Sequence, residues 1–219
     1  MKLAVFSDFD GTACRRDVGY HLSKTFSNGQ SDELVAMWMS GEVSTRECLN
    51  REAELMTLPK EDLEDYLKQF ELNQGFIEFA QLCKNQNIDI TILSDGFGFY
   101  IYDILKRNGL DWLDVITNDG QISGEKLTMF YPHDNLICQR CGSCKGERID
   151  EYLKAQNDDV TVIFVGDGLS DVCALEKSNI IFAKKDLKQY CLQNNIAHIV
   201  YDDFWDIIGH LQKQGLLKH

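Results

Sequence analysis

The sequence has little proline, little positive charge and no long apolar run. It contains only 2 prolines among 219 residues, which argues against a proline-rich linker. It holds 22 lysine and arginine residues against 35 aspartate and glutamate residues, for a net charge of −13. A nucleic-acid surface would have to hold phosphates against this negative field, so nucleic acid is not expected as a partner.

No stretch approaches the roughly 20 apolar residues of a membrane-spanning helix. The apolar run at residues 3–6 is too short for a signal peptide and continues directly into acidic residues. We therefore expect a cytoplasmic protein without a membrane partner. In that compartment the 8 cysteines are expected to be thiols or metal ligands rather than disulfides.

Short apolar runs alternate with helical stretches along most of the chain. Continuous apolar runs of this kind are typical of strands buried on both faces of a parallel sheet. The predicted strands are residues 3–6, 88–93, 160–165, 180–182 and, more weakly, 199–201. The predicted helices are residues 76–85, 97–108, 146–156, 172–177 and 187–194. This order predicts an α/β fold with a Rossmann-like, doubly wound parallel sheet.

One segment interrupts the alternation between the first and second predicted strands. Residues 18–73 are rich in helix formers, with Asp32 and Ser44 as expected N-caps, and Ser44 is followed by Glu47 as a capping box requires. We predict an α-helical cap domain at residues 14–74, inserted into a core domain made of residues 1–13 and 75–219. Residues 118–143 form a second irregular stretch, where we expect a β-hairpin followed by a loop.

Acidic residues directly follow three of the predicted strands. The segments are Asp8-Phe9-Asp10-Gly11-Thr12, Ser94-Asp95-Gly96 and Gly166-Asp167-Gly168-Leu169-Ser170-Asp171. Because ligands bind outside the carboxyl ends of strands in open α/β sheets, we expect these side chains to converge. Clustered carboxylates repel one another unless a cation lies among them, and oxygen ligands suit Mg²⁺.

The same segments offer groups that can bind phosphate. Asp8 and Asp10 are spaced to face one substrate in different roles. Gly96 lets backbone amides approach phosphate oxygens, and Ser94 adds a hydroxyl. Lys145 supplies a positive charge for a transferring phosphoryl group. Each segment alone is an ordinary turn, but their joint placement at three strand ends predicts phosphoryl-transfer chemistry.

These segments resemble the four motifs of the haloacid dehalogenase superfamily, in the same order along the chain. The helical insert between the first and second motifs is similar to that of the phosphoserine-phosphatase-like branch. The resemblance implies a phosphomonoesterase in which Asp8 attacks phosphorus and Asp10 acts as general acid and base. It also implies one Mg²⁺ per active site, held by Asp8, the backbone carbonyl of Asp10, and Asp167.

The resemblance assigns roles to the neighbouring residues as well. It implies that Ser94 and Lys145 bind the phosphoryl oxygens together with the backbone amides of Asp95 and Gly96. Asp171 is expected to orient Lys145 or a metal-bound water. Thr12, in the first motif, is expected to hold the metal ligands in position without binding the metal itself.

Three further segments are similar to the phosphatases of methionine salvage that act on 2-hydroxy-3-keto-5-methylthiopentenyl-1-phosphate. They are residues 138–145, 181–184 and 201–204. This likeness implies a small phosphorylated metabolite as substrate. Phosphoserine, phosphocholine and phosphoethanolamine phosphatases are alternatives, as are a phosphotransferase that passes the aspartyl-phosphate to an alcohol, and a binding module with the same fold. The oligomeric state is left open between a monomer and a homodimer.

One departure from the family pattern concerns the substrate. Phosphoserine phosphatases are expected to carry a Glu soon after the first motif and a cap Arg for the substrate carboxylate. The matching positions hold Asp17 and Glu52, with Arg51 next to Glu52. A second acid at this place argues against phosphoserine. Asp17, Arg51 and Phe97 are the expected substrate contacts.

A cysteine cluster precedes Lys145. Cys138, Cys141 and Cys144 form a CxxCxxC pattern, with His133 upstream. Three thiolates and an imidazole can hold a structural Zn²⁺ in tetrahedral geometry. The alternative is a reduced, tightly turned loop that positions Lys145.

Overall fold

The computed structural model describes residues 2–133 and 135–218. Within them the strands are β1 Lys2–Ser7, β2 Asp89–Phe97, β3 Asp114–Ser123, β4 Lys126–Phe130, β5 Val160–Gly166, β6 Ile180–Ala183 and β7 Ile199–Val200. They form one sheet in the order β4-β3-β2-β1-β5-β6-β7. Neighbouring strands are parallel except for the antiparallel hairpin of β3 and β4.

Helices connect and cover these strands. In chain order they are α1 Val18–Phe26, α2 Asp32–Ser40, α3 Thr45–Leu55, α4 Lys60–Leu67, α5 Phe76–Asn85, α6 Gly98–Arg107, α7 Lys145–Lys154, α8 Val172–Leu175, α9 Lys185–Gln193 and α10 Phe204–Lys213. The predicted Rossmann-like, doubly wound α/β fold is confirmed. No helix among the described residues combines the length and apolar character needed to cross a membrane.

The central strand β1 shows how the sheet is buried on both faces. Val5 belongs to one hydrophobic cluster, together with residues of α5, α6 and α10. Ala4 and Phe6, which point to the opposite face, belong to a second cluster with residues of α7, α8 and α9. This arrangement explains why β1 appears in the sequence as a continuous apolar run rather than an alternating one.

The four helices α1–α4 lie between β1 and β2 in the chain. The two backbone segments that lead into and out of them pair with each other. Cys14 and Leu72 form an antiparallel bridge, and the amide of Arg15 donates to the carbonyl of Glu71 at 3.0 Å. On the other side of the bridge, the amide of Asn73 donates to Ala13 at 2.8 Å. The helical segment is thus joined to the sheet by two adjacent backbone segments that are hydrogen-bonded to each other.

Some element boundaries differ from the sequence predictions. The irregular stretch does contain the expected hairpin, but β3 begins earlier, at Asp114. β3 alternates buried and exposed residues toward its end, so it lacks the apolar run of a central strand. Ser44 is confirmed as an N-cap, since its Oγ accepts from the amide of Glu47 at 3.1 Å. Asp32 is the first residue of α2 rather than its cap, which is Ser31.

Candidate active site

The carboxyl ends of β1, β2 and β5 bring the predicted acids together. The amide of Asp8, directly after β1, donates to the carbonyl of Val165 in β5 at 2.9 Å. The Nζ of Lys145, the first residue of α7, lies 2.5 Å from Oδ1 of Asp8. Lys145 also donates to Oδ1 of Asp171. All three side chains are buried, so one cation is shared by two carboxylates away from water.

Burial and neighbouring charges have opposite effects on the pKa values of these buried residues. Burial acts to lower the pKa of Lys145, but the carboxylates of Asp171 and Asp8 outweigh it and hold that pKa well above its ordinary value. Burial raises the pKa of Asp8, against the opposing effect of Lys145. Lys145 is therefore a fixed positive charge directly beside the predicted nucleophile.

Asp10 is held from two sides. Its Oδ1 accepts from the amides of Val18 and Gly19 at the start of α1, at 2.8 and 3.3 Å. Its Oδ2 accepts from the hydroxyl of Tyr100 at 2.6 Å. Burial raises the pKa of Asp10 to about 7, with a further contribution from Asp17, and the hydrogen bond from Tyr100 opposes the rise. A carboxyl with this pKa can exchange a proton near neutral pH.

Asp167 and Asp171 follow β5 and are held differently. Asp167 accepts from Thr12 Oγ1 at 3.2 Å and from the Nζ of Lys185 at 2.7 Å. The Oδ2 of Asp171 accepts from the amides of Asp167 and Gly168 at 2.9 and 3.0 Å. Since Lys145 binds its other oxygen, both oxygens of Asp171 are already used within the protein.

The end of β2 forms the third side of the site. Ser94 Oγ accepts from the amide of Gly96 at 3.0 Å. The Oδ1 of Asp95 accepts from Asn118 Nδ2 at 2.9 Å and from the amide of Ser143 at 2.7 Å. The side chain of Asp95 therefore fixes the loop that leads into Lys145. A Cβ at Gly96 would collide with the Tyr100 hydroxyl, so the close approach requires glycine there.

A cavity of about 310 Å³ opens onto these residues. Its walls come from the strand ends and from helices α1, α2 and α3. The predicted substrate contacts Asp17 and Phe97 both line it. Arg51 does not belong to this lining: its guanidinium pairs with Glu47 at 3.1 Å on the exposed face of α3, with 45% of its side chain accessible. The prediction that Arg51 contacts substrate is thus not supported, because the inward-facing position of α3 is taken by its neighbour Glu52.

Glu52 is buried and lines the cavity. Its Oε1 accepts from Ser23 Oγ at 2.9 Å. Burial raises the pKa of Glu52 to about 7; the hydrogen bond from Ser23 opposes this, and the charge of Asp17 adds to it. The rest of the wall formed by α2 and α3 is largely apolar and includes Trp38 and Met39.

Sequence reasoning missed two residues that contact the acids. Lys185, which binds Asp167, directly follows the short loop after β6, so the same strand-end argument would have found it. Tyr100, which binds Asp10, lies in the first turn of α6, three residues after the end of β2, and only its closeness to the second motif pointed to it.

The predicted zinc ligands also lie together. The sulfur atoms of Cys138, Cys141 and Cys144 are all within 4.8 Å of one another. Among the described residues, His133 does not belong to this group. The imidazole expected as a fourth ligand is therefore not placed with the three thiols.

Fold and site together define the class of protein. A doubly wound sheet with buried aspartates and a lysine at its carboxyl edge, beneath an inserted set of helices, is the arrangement of the haloacid dehalogenase phosphatases. A substrate-bound phosphoserine phosphatase has the same fold: its structure matches with a TM-score of 0.72 at 21% identity, covering 95% of this chain and 97% of that chain.

Relatives known from their sequences specify the family. Residues 3–202 match the family described as Putative Phosphatase. A 2-hydroxy-3-keto-5-methylthiopentenyl-1-phosphate phosphatase of Bacillus cereus is 31% identical over 226 residues, which cover 100% of this chain and 97% of that protein. One of the same name from Bacillus anthracis is 30% identical over 219 residues, covering 97% of each chain. The chain belongs to the family described as Putative Phosphatase and is a phosphomonoesterase with the haloacid dehalogenase fold.

Proposed function

We propose that this phosphatase hydrolyses 2-hydroxy-3-keto-5-methylthiopentenyl-1-phosphate through an aspartyl-phosphate on Asp8. The observation that carries the mechanism is the buried contact of 2.5 Å between Lys145 and Asp8 at the edge of a cavity. The substrate is supported by the names of the relatives that span the whole chain and by the chemistry of the cavity wall.

The wall of the cavity suits an uncharged thioether chain better than an amino acid. Val35, Trp38, Met39 and Leu49 are among its apolar residues, and burial of a methylthio group against them is favourable. Asp17 and Glu52 line the same cavity. Two acids in this position would repel the carboxylate of phosphoserine, and Arg51 points away from it.

In the first chemical step, an oxygen of Asp8 attacks phosphorus and the bond from phosphorus to the ester oxygen breaks. The products are an aspartyl-phosphate and an alkoxide, and Asp10 gives its proton to that alkoxide. The three donors on its two oxygens hold Asp10 in place for this transfer. Lys145, Ser94 and the amides of Asp95 and Gly96 bind the phosphoryl oxygens.

In the second step, water attacks the phosphorus of the aspartyl-phosphate and gives a proton to the carboxylate of Asp10. The bond from phosphorus to Asp8 breaks, which releases inorganic phosphate and restores both aspartates to their starting forms. Asp171 keeps Lys145 in position throughout, because it binds the lysine and two backbone amides at once.

The residues present fit a magnesium ion. Carboxylate oxygens of Asp8, Asp167 and Asp171 lie within 4.8 Å of one another, and hard oxygen donors are what Mg²⁺ prefers. Because Asp8, Asp10 and Asp167 line the cavity and Asp171 does not, Asp8, Asp167 and the backbone carbonyl of Asp10 would hold one ion. When bound, the ion supplies positive charge that offsets the phosphoryl oxygens.

We assign residues 14–74 to a cap domain and residues 1–13 and 75–219 to the core domain. The paired segments around Cys14 and Leu72 support this division, since they bring the two ends of the helical segment together. The cap contributes one wall of the cavity and the two α1 amides that bind Asp10. Seating of the cap therefore completes the site and excludes water from it.

The test is phosphate release from a panel of esters with and without Mg²⁺. The panel contains the methylthiopentenyl ester, phosphoserine, phosphocholine and phosphoethanolamine. Asp8→Asn should lose nearly all turnover and form no acid-stable phosphoprotein, whereas Asp103→Asn, on the exposed face of α6, should behave like the wild type. Near-normal turnover in Asp8→Asn would disprove the mechanism, and a clear preference for phosphoserine would disprove the substrate.

A further inference from the structure

Four cysteines on two separate segments meet beside the active site. Cys138, Cys141 and Cys144 belong to the loop before α7, and Cys173 lies in α8, two residues after Asp171. The chain has 8 cysteines, and all are free thiols in this structure. The phosphatase mechanism uses none of these four, so the cluster needs its own explanation.

The spacing of the three loop thiols matches that of metal ligands. Zinc–sulfur bonds of about 2.3 Å in a tetrahedral site place sulfur atoms roughly 3.8 Å apart. The Sγ atoms of Cys138 and Cys141 are 3.4 Å apart, and all three sulfurs lie within 4.8 Å of one another. Little movement would bring them to ligand positions.

The loop is held in this shape by contacts that do not involve sulfur. Glu147 accepts from the amides of Leu136, Ile137 and Cys138 at 2.7, 3.0 and 2.6 Å. The side chain of Asn135 donates to the carbonyl of Cys141 at 2.7 Å and accepts from the amide of Cys144 at 2.9 Å. The thiols are thus preorganised by backbone contacts, as ligands of a structural metal are.

Cys173 approaches these thiols from α8. A Cβ at Gly146 would collide with the carbonyl of Cys173, so the start of α7 packs directly on α8. The thiol of Cys173 is in hydrogen-bond contact with the thiols of Cys141 and Cys144, so it faces two of the three loop thiols. It does not belong to the group of three sulfur atoms that all lie within 4.8 Å of one another.

We propose that the clustered thiols of Cys138, Cys141 and Cys144 form a structural site for a thiophilic divalent cation, with the neighbouring Cys173 as the fourth ligand and Zn²⁺ as the expected ion. Binding replaces the thiol protons with metal–sulfur bonds and releases those protons to solvent, so it needs no oxidant. The ion would link the loop that ends at Cys144 to α8. Both elements adjoin the Lys145–Asp171 pair, so the metal would fix the phosphate-binding lysine.

The experiment measures zinc in protein purified without chelators, by mass spectrometry of the metal and by release with a mercurial reagent. We expect close to one zinc per chain in the wild type and less than a tenth of that in Cys138→Ala and Cys173→Ala. Cys191→Ala, which removes a buried thiol from α9, is the matched control and should keep its zinc. Asp167→Asn should also keep it, which separates this site from the carboxylates.

Further measurements separate loss of the metal site from loss of the fold. Circular dichroism checks the fold of each variant, and zinc returned to chelator-treated wild type should raise its Tm. Cobalt in place of zinc should give the charge-transfer absorption of thiolate ligands.

A wild type with less than a tenth of an equivalent of zinc and no Tm response would overturn the proposal, as would a disulfide between Cys138 and Cys141 in the native protein. Full zinc content in Cys173→Ala would remove Cys173 from the ligand set.

Discussion

The hydroxyl of Tyr100 donates a hydrogen bond of 2.6 Å to Oδ2 of Asp10, while the other oxygen of Asp10 accepts from amides at the start of α1. Tyr100 belongs to the core helix after β2, and α1 belongs to the helical insert. The proposed general acid therefore contacts both a helix that covers the sheet and a helix of the insert. Its orientation and its pKa depend on both contacts.

Tyr100→Phe is predicted to impair catalysis while leaving the fold intact. Loss of a hydrogen bond to a charged group costs about 1.5–3 kcal/mol, which corresponds to a decrease in kcat of about 10- to 100-fold. Because this bond opposes the rise in the pKa of Asp10, the pH dependence of kcat should also move to higher pH. Steady-state kinetics across pH test both effects.

The matched control is Tyr102→Phe on the same helix, where 52% of the residue is exposed. It should keep the kcat and the pH profile of the wild type. If Tyr100→Phe behaves like this control, the hydroxyl does not position Asp10.

Lys145→Met is predicted to destabilise the protein as well as to abolish activity. It leaves Asp8 and Asp171 buried without their shared cation, and breaking a buried ion pair in this way costs about 3–5 kcal/mol. The cost should shrink as the pH falls, because protonation removes the uncompensated charges. Urea unfolding at pH 7 and pH 5 without added Mg²⁺ measures it.

Lys154→Met, at the exposed end of the same helix, provides the comparison and should change stability little. An equal loss in both variants, or a loss in Lys145→Met that does not depend on pH, would contradict the account of this buried group.

The sequence was sufficient to predict the sheet and the acids at its edge. Apolar runs identify strands buried on both faces, and strand ends in such a sheet meet at one edge, so Asp8, Ser94 and Asp167 could be placed together. The positions of Tyr100 and Glu52 in the site could not be predicted in this way. They depend on how the helices pack, which the hydrophobic periodicity of the sequence does not specify. The start of β3 at Asp114, before the predicted hairpin segment, was missed for a related reason: a strand near the sheet edge, with exposed residues, has no continuous apolar run.

Trp38→Ala is predicted to change specificity more than chemistry. Trp38 lines the cavity, and its indole donates to Thr45 Oγ1 at 2.9 Å, so its position is fixed. Loss of apolar contact with a methylthio group should raise KM for the methylthiopentenyl ester about tenfold. KM for phosphoethanolamine, which has no apolar group, should change much less.

Comparison of kcat and KM for the two esters tests this prediction. Trp205→Ala, on α10 with 49% of the residue exposed, is the control and should alter neither constant. An equal rise in KM for both esters would show that Trp38 does not recognise the thioether end.

Glu52→Gln is predicted to stabilise the protein at alkaline pH. Burial raises the pKa of Glu52 to about 7, from its ordinary value of 4.5, so the folded state binds the proton more tightly than the unfolded state does. Stability attributable to Glu52 is thus fully present below the unfolded pKa and is lost as the pH rises toward and through 7. Glutamine keeps the acceptor for Ser23 and carries no charge.

The free energy of unfolding of Glu52→Gln should therefore exceed that of the wild type by about 3 kcal/mol at pH 8. The difference should vanish below pH 4.5, whereas Glu54→Gln, on the exposed face of α3, should show no such trend. Urea unfolding of all three proteins across this pH range tests the prediction. A difference in the free energy of unfolding that does not depend on pH would mean that the pKa of Glu52 is not raised in the folded state.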